Sequence, residues 1–284
     1  MATRPVSESC WRKKMLRNEG ERLTRVVVST PSNEYFDVSD TDAHKMNEVA
    51  DRARTNVQHK ALQETLASRG AEVIDAPELE GHPNSVFTRD VSLMTPQGYI
   101  KLRMGIDTRR GVEAWLGAVL EEHGEVCAGE IEAPGTVEGG DVTIHGDVAF
   151  VGHSARTNES GVQQISELLQ KMGYEVRVAD VVGYLHLGGA VSAVAPDRLL
   201  VVRDDYPDGF FKGFDVIEVD KKGPSTGNVI CVAPNEVVAN EAENQDAMDV
   251  LDSRGVRVHG VDLSEFRKGA GGPTCLIMPV ERET

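Results

Sequence analysis

The amino-acid sequence predicts an α/β fold of five repeating strand-strand-helix-strand units that close into a ring. Four segments end in nearly the same phrase: a Leu, three further residues, a Gly, and a Val two or three positions later. The glycines of these phrases are Gly70, Gly124, Gly173 and Gly255. Pairs of β-rich runs stand before the helices, as at residues 142–145 and 148–151.

Each repeated phrase predicts a helix that ends at the Gly and a strand that follows at once. Further β-rich runs occupy residues 25–29, 229–232 and 237–239. The glycines are separated by 54, 49 and 82 residues. The last step leaves room for a shortened unit with little helix around residues 198–224.

The later units open near residues 84, 138, 186 and 227, and the first three of these begin with polar or charged residues. In a ring these residues gather on the axis. The alternative is a doubly wound parallel sheet, which predicts about one strand per helix. The paired runs before the helices favour the ring.

Composition indicates an ordinary soluble globular protein, because 40% of the 284 residues are hydrophobic and 27% are charged. We expect a single domain over residues 23–284. Residues 1–22 form a polar N-terminal tail, either mobile or a short helix. The tail has no apolar centre typical of a signal peptide, and no apolar run of 18 residues predicts a membrane span.

Charge and cysteine content restrict the partners. The net charge of -16 argues against nucleic acid or an anionic membrane as the main partner and tolerates a cationic ligand. The four cysteines, at positions 10, 127, 231 and 275, have no C-x-x-C spacing, so we expect reduced thiols, no metal and a cytoplasmic protein. A homodimer is compatible with the sequence.

Cys275 is the first candidate for chemistry, because it lies in a glycine-rich loop that leads into an apolar run at residues 276–279. A thiol at such a junction is either a nucleophile or a small buried hydrophobe. The common serine-hydrolase, phosphate-loop, metalloprotease and dinucleotide motifs are absent from the sequence.

Three phrases at predicted unit starts carry polar groups: residues 84–90 (NSVFTRD), 138–141 (EGGD) and 184–189 (YLHLGG). Taken singly, Asp90 and Asp141 are also explained as turn or strand-end residues, and His186 as a core histidine.

Together with Cys275, the three phrases resemble the guanidino-group modifying superfamily of arginine deiminases, dimethylarginine dimethylaminohydrolases and amidinotransferases. The resemblance covers residues 25–280. It implies a five-bladed α/β propeller (pentein) with pseudo-fivefold symmetry, and in chain length it is nearest to the dimethylaminohydrolase-like group.

The resemblance also implies the roles of eight residues. Cys275 is expected to be the nucleophile, His186 the proton carrier, Glu138 its carboxylate partner and Asp90 the anchor of the guanidinium group. Arg103 and Arg156 are expected at the substrate carboxylate, and Asn84 and Phe87 at the border of the substrate. The family needs no metal or other cofactor.

Two departures concern the substrate. Gly188 stands where deiminases carry a second Asp, and Asn84 and Arg89 stand where dimethylaminohydrolases tend to be acidic.

The expected activity is hydrolysis of a C–N bond of arginine or an N-substituted arginine to citrulline, through a thiouronium intermediate on Cys275. A dihydrolase forming ornithine, an amidinotransferase and a catalytically silent binding protein of the same fold are the alternatives.

Overall fold

A computed structural model describes residues 16–204 and 206–284. These residues form a mixed α/β fold with five three-stranded sheets. In every sheet the middle strand pairs antiparallel with one neighbour and parallel with the other. The described chain therefore has the three strands of the predicted unit five times over and not the single doubly wound sheet of the alternative.

The strands and helices follow the order of the predicted units. The first sheet contains β15 (Met278–Glu283), β1 (Arg22–Ser29) and β2 (Glu72–Ala76), the second β3 (Ser92–Thr95), β4 (Gly98–Lys101) and β5 (Cys127–Glu130), the third β6 (Val142–His145), β7 (Val148–His153) and β8 (Glu175–Asp180), the fourth β9 (Val191–Ala195), β10 (Arg198–Val202) and β11 (Asp215–Val219), and the fifth β12 (Val229–Ala233), β13 (Glu236–Asn240) and β14 (Arg257–Val261). The helices are α1 (Arg52–Ser68), α2 (Val112–Glu122), α3 (Glu159–Lys171), α4 (Gln245–Ser253) and the short α5 (Ser264–Lys268).

The repeated phrase has a common physical cause. All four of its glycines have positive φ, between 77° and 97°, a conformation that L side chains avoid. In the first phrase Gly70 donates to the carbonyl of Ala67 at 3.0 Å, and Ala71 donates to the carbonyl of Leu66 at 3.2 Å. The other three phrases repeat both bonds, and their leucines are fully buried. The predicted helix ends are confirmed.

The fourth unit departs from the other four, as the spacing predicted. Turns, without an α-helix among the described residues, join β10 to β11. Aromatic side chains fill the space instead: Phe210 and Phe214 lie with ring centroids 5.0 and 5.4 Å from that of Phe150 on β7.

Residues 16–22, which were predicted to belong to the tail, are part of the fold: Arg22 begins β1, and residues 16–21 pack against three other segments. Asn18 pairs with His145 in an isolated bridge and donates to the carbonyl of Pro196 at 2.8 Å. Glu19 is buried and forms an ion pair with Arg89 at 2.7 Å. The remainder of the predicted tail, residues 1–15, lies outside the described residues, as does the Cys at position 10.

The core consists of three clusters of buried apolar side chains, to which the strands and the longer helices contribute. Leu116 and Leu120 of α2 and Ile165 and Leu169 of α3 are fully buried in one such cluster. Each buried side chain of this size stabilises the fold by roughly 1.5–3 kcal/mol. Among the described helices, none has the length and apolar character needed to cross a membrane.

Candidate active site

Four of the predicted site residues lie at corresponding turns of four sheets, though not at the same position within the turn. Each lies at a three-residue turn that leads into the strand on the antiparallel side of its sheet. Asp90 precedes β3, Glu138 precedes β6, His186 precedes β9 and Cys275 precedes β15. The same local structure therefore delivers one chemical group from each of four units.

Glu138 is a fully buried carboxylate with many donors. Arg156 Nη1 donates to both of its oxygens, at 3.1 and 3.2 Å, and Arg109 Nη1 donates to Oε2 at 3.3 Å. The backbone N–H of Gly105 donates to Oε1 at 3.0 Å. Burial by itself would raise the pKa of Glu138, but Arg109, His186 and Arg156 hold the pKa well below its usual range. Glu138 is therefore ionised at neutral pH.

His186 lies between two carboxylates. Its Nε2 is 2.9 Å from Glu138 Oε2, and its Nδ1 is 3.8 Å from Asp90 Oδ1. Burial alone would lower the pKa of His186, but the charges of Asp90, Asp141 and Glu138 raise it to about 9. The ring therefore carries a proton on both nitrogens at neutral pH and can give one away.

Asp141 orients the turn that carries His186. Its Oδ1 accepts the backbone N–H of Leu187 at 2.9 Å, and its Oδ2 accepts the hydroxyls of Ser154 and Thr157 at 2.6 and 2.7 Å. These bonds join the turn before β9 to the loop after β7. Asp141 thus acts at the start of β6 as a structural strand-end residue.

Two cavities flank Cys275. The arginine-lined cavity is bordered by Asn84, Phe87, Asp90, Arg109, Arg156 and Cys275. The histidine-lined cavity is bordered by His186, Gly188, Ser225, Asn228, Arg267 and Cys275. Leu185 and Ala270 line both. The structure thus brings the thiol and the imidazole to one cavity and the thiol and Asp90 to the other.

Four buried polar atoms of the arginine-lined cavity have no hydrogen-bond partner within the described part of the chain. They are the acceptors Asp90 Oδ1 and Asn84 Oδ1, the donor Arg109 Nε and the ring nitrogen His44 Nδ1. Asp90 Oδ2, by contrast, accepts from Arg109 Nη1 at 2.8 Å. Unpartnered buried acceptors and donors are costly, so the side chains are suited to a ligand that brings both a cationic donor and an anionic acceptor.

The thiol of Cys275 is mainly neutral in the free protein. Burial and then the negative charge of Asp90 raise the pKa of Cys275 to about 11, although Arg267 and Arg109 act in the opposite direction. A cation placed beside Asp90 would offset the charge that disfavours the thiolate.

The glycine-rich loop before Cys275 packs tightly against the aromatic wall of the site. A Cβ at Gly271 would lie 2.1 Å from the ring of Phe87, and a Cβ at Gly269 would lie 2.5 Å from the hydroxyl of Tyr35. Ala270 between them has a φ of 64°. The glycines allow close approach of the loop to the Phe87 ring, which borders the cavity.

Arg109 was missed in the sequence, where Arg103 was expected at the substrate carboxylate. Arg103 Nη1 donates to the carbonyl of Gly135 at 3.0 Å. Arg103 is not among the described residues that line either of the two cavities. Arg109, six positions later in the same loop, is buried beside Asp90. No pattern in the sequence separates the two arginines, because the loop has no regular periodicity.

The two departures from the family pattern have different locations. Arg89 points away from the arginine-lined cavity: it pairs with Glu19 and donates to the carbonyls of Gly139 and Val142 at 3.2 and 2.8 Å. Gly188 lines the histidine-lined cavity, and a Cβ there would lie 3.0 Å from the carbonyl oxygen of Gly140. A side chain at position 188 therefore requires a backbone shift.

Asp90, Glu138 and His186 place potential metal-ligand atoms within 4.8 Å of one another. Two guanidinium groups already contact these carboxylates, and His186 is protonated at neutral pH. A divalent cation would have to displace this positive charge. The local charges thus suit an organic cation better than a metal ion.

Comparison with known proteins gives the same family as the resemblance of the sequence motifs. The family model for arginine deiminase matches residues 14–186 and 213–282. The N(G),N(G)-dimethylarginine dimethylaminohydrolase of Pseudomonas aeruginosa is 31% identical over 253 residues, which cover 89% of this chain and 98% of that protein. The protein of the same name from Streptomyces coelicolor is 29% identical and covers 82% of this chain and 88% of its own.

Solved structures extend the likeness to three dimensions. A mutant of the Pseudomonas aeruginosa dimethylaminohydrolase complexed with citrulline has a TM-score of 0.79 at 29% identity, with 90% of this chain and 99% of that chain covered. An amidinotransferase from Microseira wollei has a TM-score of 0.77 at 16% identity, over 95% and 97% of the two chains, which shows a shared fold. The chain therefore belongs to the arginine deiminase family, whose members are hydrolases of C–N bonds in linear amidines, and within the guanidino-group modifying superfamily it is dimethylarginine dimethylaminohydrolase-like.

Proposed function

We propose that this protein is a cysteine-dependent hydrolase that cleaves a C–N bond of the guanidinium group of arginine or an N-methylated arginine, giving citrulline and ammonia or an alkylamine. The observation that carries the proposal is the arginine-lined cavity, where two unpartnered acceptors and one unpartnered donor lie next to a thiol. A guanidinium group and a carboxylate on one small molecule match that set of atoms.

We also propose that the five sheets close into the five-bladed propeller. Contacts of β12 with β9 and β1, and of β15 with β3, support neighbouring positions for the fourth, fifth, first and second sheets. Contacts between the turns Thr88–Asp90 and Gly139–Asp141, and between β6 and the turn Leu187–Gly189, likewise support neighbouring positions for the second, third and fourth sheets. In such a ring the turns before the first strands meet on the axis.

In the proposed complex Asp90 holds the guanidinium group through Oδ1, which has no hydrogen-bond partner among the described residues, in the role that the family resemblance implies. Arg109 and Arg156 hold the substrate carboxylate, and Arg109 takes the place first assigned to Arg103. Asn84 and Phe87 border the substrate, and the Asn84 Oδ1 accepts one of its N–H groups. Charge-assisted hydrogen bonds of this kind are about twice as strong as neutral ones.

Binding of the cation beside Asp90 favours the Cys275 thiolate, and the thiol proton leaves to solvent. The sulfur attacks the guanidinium carbon and forms a C–S bond. His186 donates a proton to the departing nitrogen as the C–N bond breaks, which leaves a thiouronium on Cys275. Glu138 stays ionised and stabilises the imidazolium before the transfer.

The second half of the reaction reuses His186. The neutral imidazole takes a proton from water, the oxygen attacks the thiouronium carbon, and the C–S bond breaks to release the thiolate. The proton that remains on the new oxygen passes to solvent, which gives citrulline. Because His186 and Cys275 both line the histidine-lined cavity, the departing amine leaves into that cavity.

The experiment is to incubate the purified protein with arginine, monomethylarginine, dimethylarginine and agmatine and to identify the products by mass spectrometry. We expect citrulline from the wild type and from Cys127→Ser, a matched control at an exposed thiol, and no turnover from Cys275→Ser. Ornithine as product would select the dihydrolase, and transfer of the amidino group to an added amine would select the transferase. No turnover of any compound and no adduct at Cys275 would overturn the proposal.

A further inference from the structure

The fifth sheet also has a polar residue in front of its first strand. Asn228 immediately precedes β12, as Asp90, Glu138, His186 and Cys275 stand at the turns before the corresponding strands of the other sheets. Its backbone N–H donates to the carbonyl of Ser225 at 3.0 Å, which closes a turn at the same place in the unit. Asn228 is buried and lines the histidine-lined cavity.

All three side-chain hydrogen bonds of Asn228 reach the loops of the two reacting residues. Its Nδ2 donates to the carbonyl of Gly188 at 2.7 Å and to the hydroxyl of Thr274 at 2.7 Å. Its Oδ1 accepts the backbone N–H of Thr274 at 2.9 Å. Gly188 is two residues after His186, and Thr274 immediately precedes Cys275.

The partners fix which way the amide faces. The N–H of Thr274 can only donate and the carbonyl of Gly188 can only accept, so no other orientation of the Asn228 amide satisfies both. An aspartate of the same shape would keep the bond from Thr274 but would set a carboxylate oxygen against the Gly188 carbonyl. The site therefore requires an amide and not merely a polar group of that size.

From this geometry we propose that Asn228 is a positioning residue for the reaction: it ties the nucleophile loop to the histidine loop and so sets the separation of the Cys275 sulfur and the His186 ring. This inference rests on the proposed function of those two residues. We use the term clamp for Asn228 and its three side-chain hydrogen bonds. The clamp is held in place by β12 and by Asn244, whose Nδ2 donates to the carbonyls of Ser225 and Asn228 at 3.0 and 3.4 Å.

Loss of these hydrogen bonds is expected to affect kcat and KM differently. The arginine-lined cavity, which binds the substrate, does not include Asn228 among its lining residues in the described chain. Loss of the clamp should therefore spare KM and lower kcat, because a displacement of about 1 Å between reacting groups costs on the order of 100-fold. Release of Cys275 from its partly buried place should at the same time make the thiol easier to alkylate.

The test compares Asn228→Ala and Asn228→Asp with Asn240→Asp, a control at another buried asparagine of the same sheet. Asn240 accepts the backbone N–H groups of Ala242 and Leu263 and contacts neither reacting loop by hydrogen bonds within the described residues. We expect kcat to fall about 30- to 100-fold in both Asn228 variants with KM changed less than about threefold. We expect the control to keep kcat within about twofold.

A second measurement does not depend on turnover. The rate of Cys275 modification by iodoacetamide at pH 7.5, followed on the Cys275 peptide by mass spectrometry, should rise several-fold in Asn228→Ala. Thr274→Val, which removes one of the three bonds and keeps the backbone bond, should change kcat and alkylation in the same directions by a smaller factor. Thr274→Val also tests the proposal if the Asn228 variants do not fold.

Two results would overturn the clamp. One is an Asn228→Ala protein that is folded and has unchanged kcat and alkylation rate; the other is a loss confined to KM, which would make Asn228 a substrate contact. If the wild type turns over no guanidino compound, the proposed function fails, and the alkylation rates still decide whether Asn228 positions Cys275.

Discussion

At the scale of single residues, the site is organised by opposed charges on either side of one thiol. Asp90 raises the pKa of Cys275, next after burial, whereas Arg267 and Arg109 oppose the rise. The same Asp90 is the largest of the charges that raise the pKa of His186 to about 9. One carboxylate therefore keeps the nucleophile protonated and the proton donor charged until a cation binds.

Replacing Asp90 by Asn should separate thiol reactivity from turnover. Removing the negative charge lowers the pKa of Cys275, so alkylation by iodoacetamide at pH 8 should become several-fold faster. Turnover should fall about 100-fold, because a charge-assisted contact to the guanidinium group is lost. Steady-state kinetics and peptide mass spectrometry measure the two effects.

Arg267→Gln should shift the pKa of the Cys275 thiol in the opposite direction. Loss of a positive charge raises the pKa of Cys275, so alkylation at pH 8 should become slower than in the wild type. Equal alkylation rates in the wild type and in both variants would contradict this account of the thiol.

The sequence indicated which residues form the candidate site better than it indicated the contacts among them. Asp90, Glu138, His186 and Cys275 stand out because each lies in a phrase at the start of a unit. Arg109 does not stand out, because which arginine of an irregular loop turns inward depends on Asp90 and Glu138, which are distant in sequence or in another sheet. The Arg89 and Glu19 pair was missed for the same reason.

At the scale of elements, the turn before β6 has to come unusually close to the turn before β9. A Cβ on Gly140 would lie 2.6 Å from His186 Nδ1 and 3.0 Å from Asp90 Oδ1. The former distance is shorter than any ordinary contact. Glycine at this position therefore leaves the space in which His186 lies between its two carboxylates.

Gly140→Ala should displace His186 and lower kcat by about 10- to 100-fold while the protein stays folded, since misplacement of a reacting group is costly. Gly223→Ala is the matched control, because a Cβ there meets no atom within 4 Å and its φ is not positive. Circular dichroism checks the fold, and kcat measures the effect. Activity of Gly140→Ala equal to that of the control would show that the close approach is not needed.

The elements themselves were largely predictable, since local rules govern them. Helix ends follow from glycine at positive φ, and the paired strands follow from β-branched runs. Residues 16–21 were not predictable in this way: Asn18 and Glu19 are polar, and only their partners in other units, His145 and Arg89, make them part of the fold.

At the scale of the whole molecule, the charged site links folding to pH. The pKa of His186 lies near 6.5 in an unfolded chain and at about 9 in the folded protein. The folded state therefore binds this proton more tightly, so the contribution of His186 to the free energy of unfolding is complete below pH 6.5 and is lost as pH rises through 9.

We expect the free energy of unfolding, measured by urea denaturation, to fall between pH 6.5 and 9 by on the order of 3 kcal/mol more in the wild type than in His186→Gln. Glutamine can still donate to Glu138 but does not titrate, and every other group, including the surface that gives a net charge of -16, is common to both proteins. Measurements up to pH 9 stay below the titration of Cys275, whose pKa of about 11 would add a further loss at higher pH. Parallel pH profiles for the two proteins would mean that His186 is not held charged by Asp90, Asp141 and Glu138, and the assignment of His186 as the proton donor at neutral pH would fail with it.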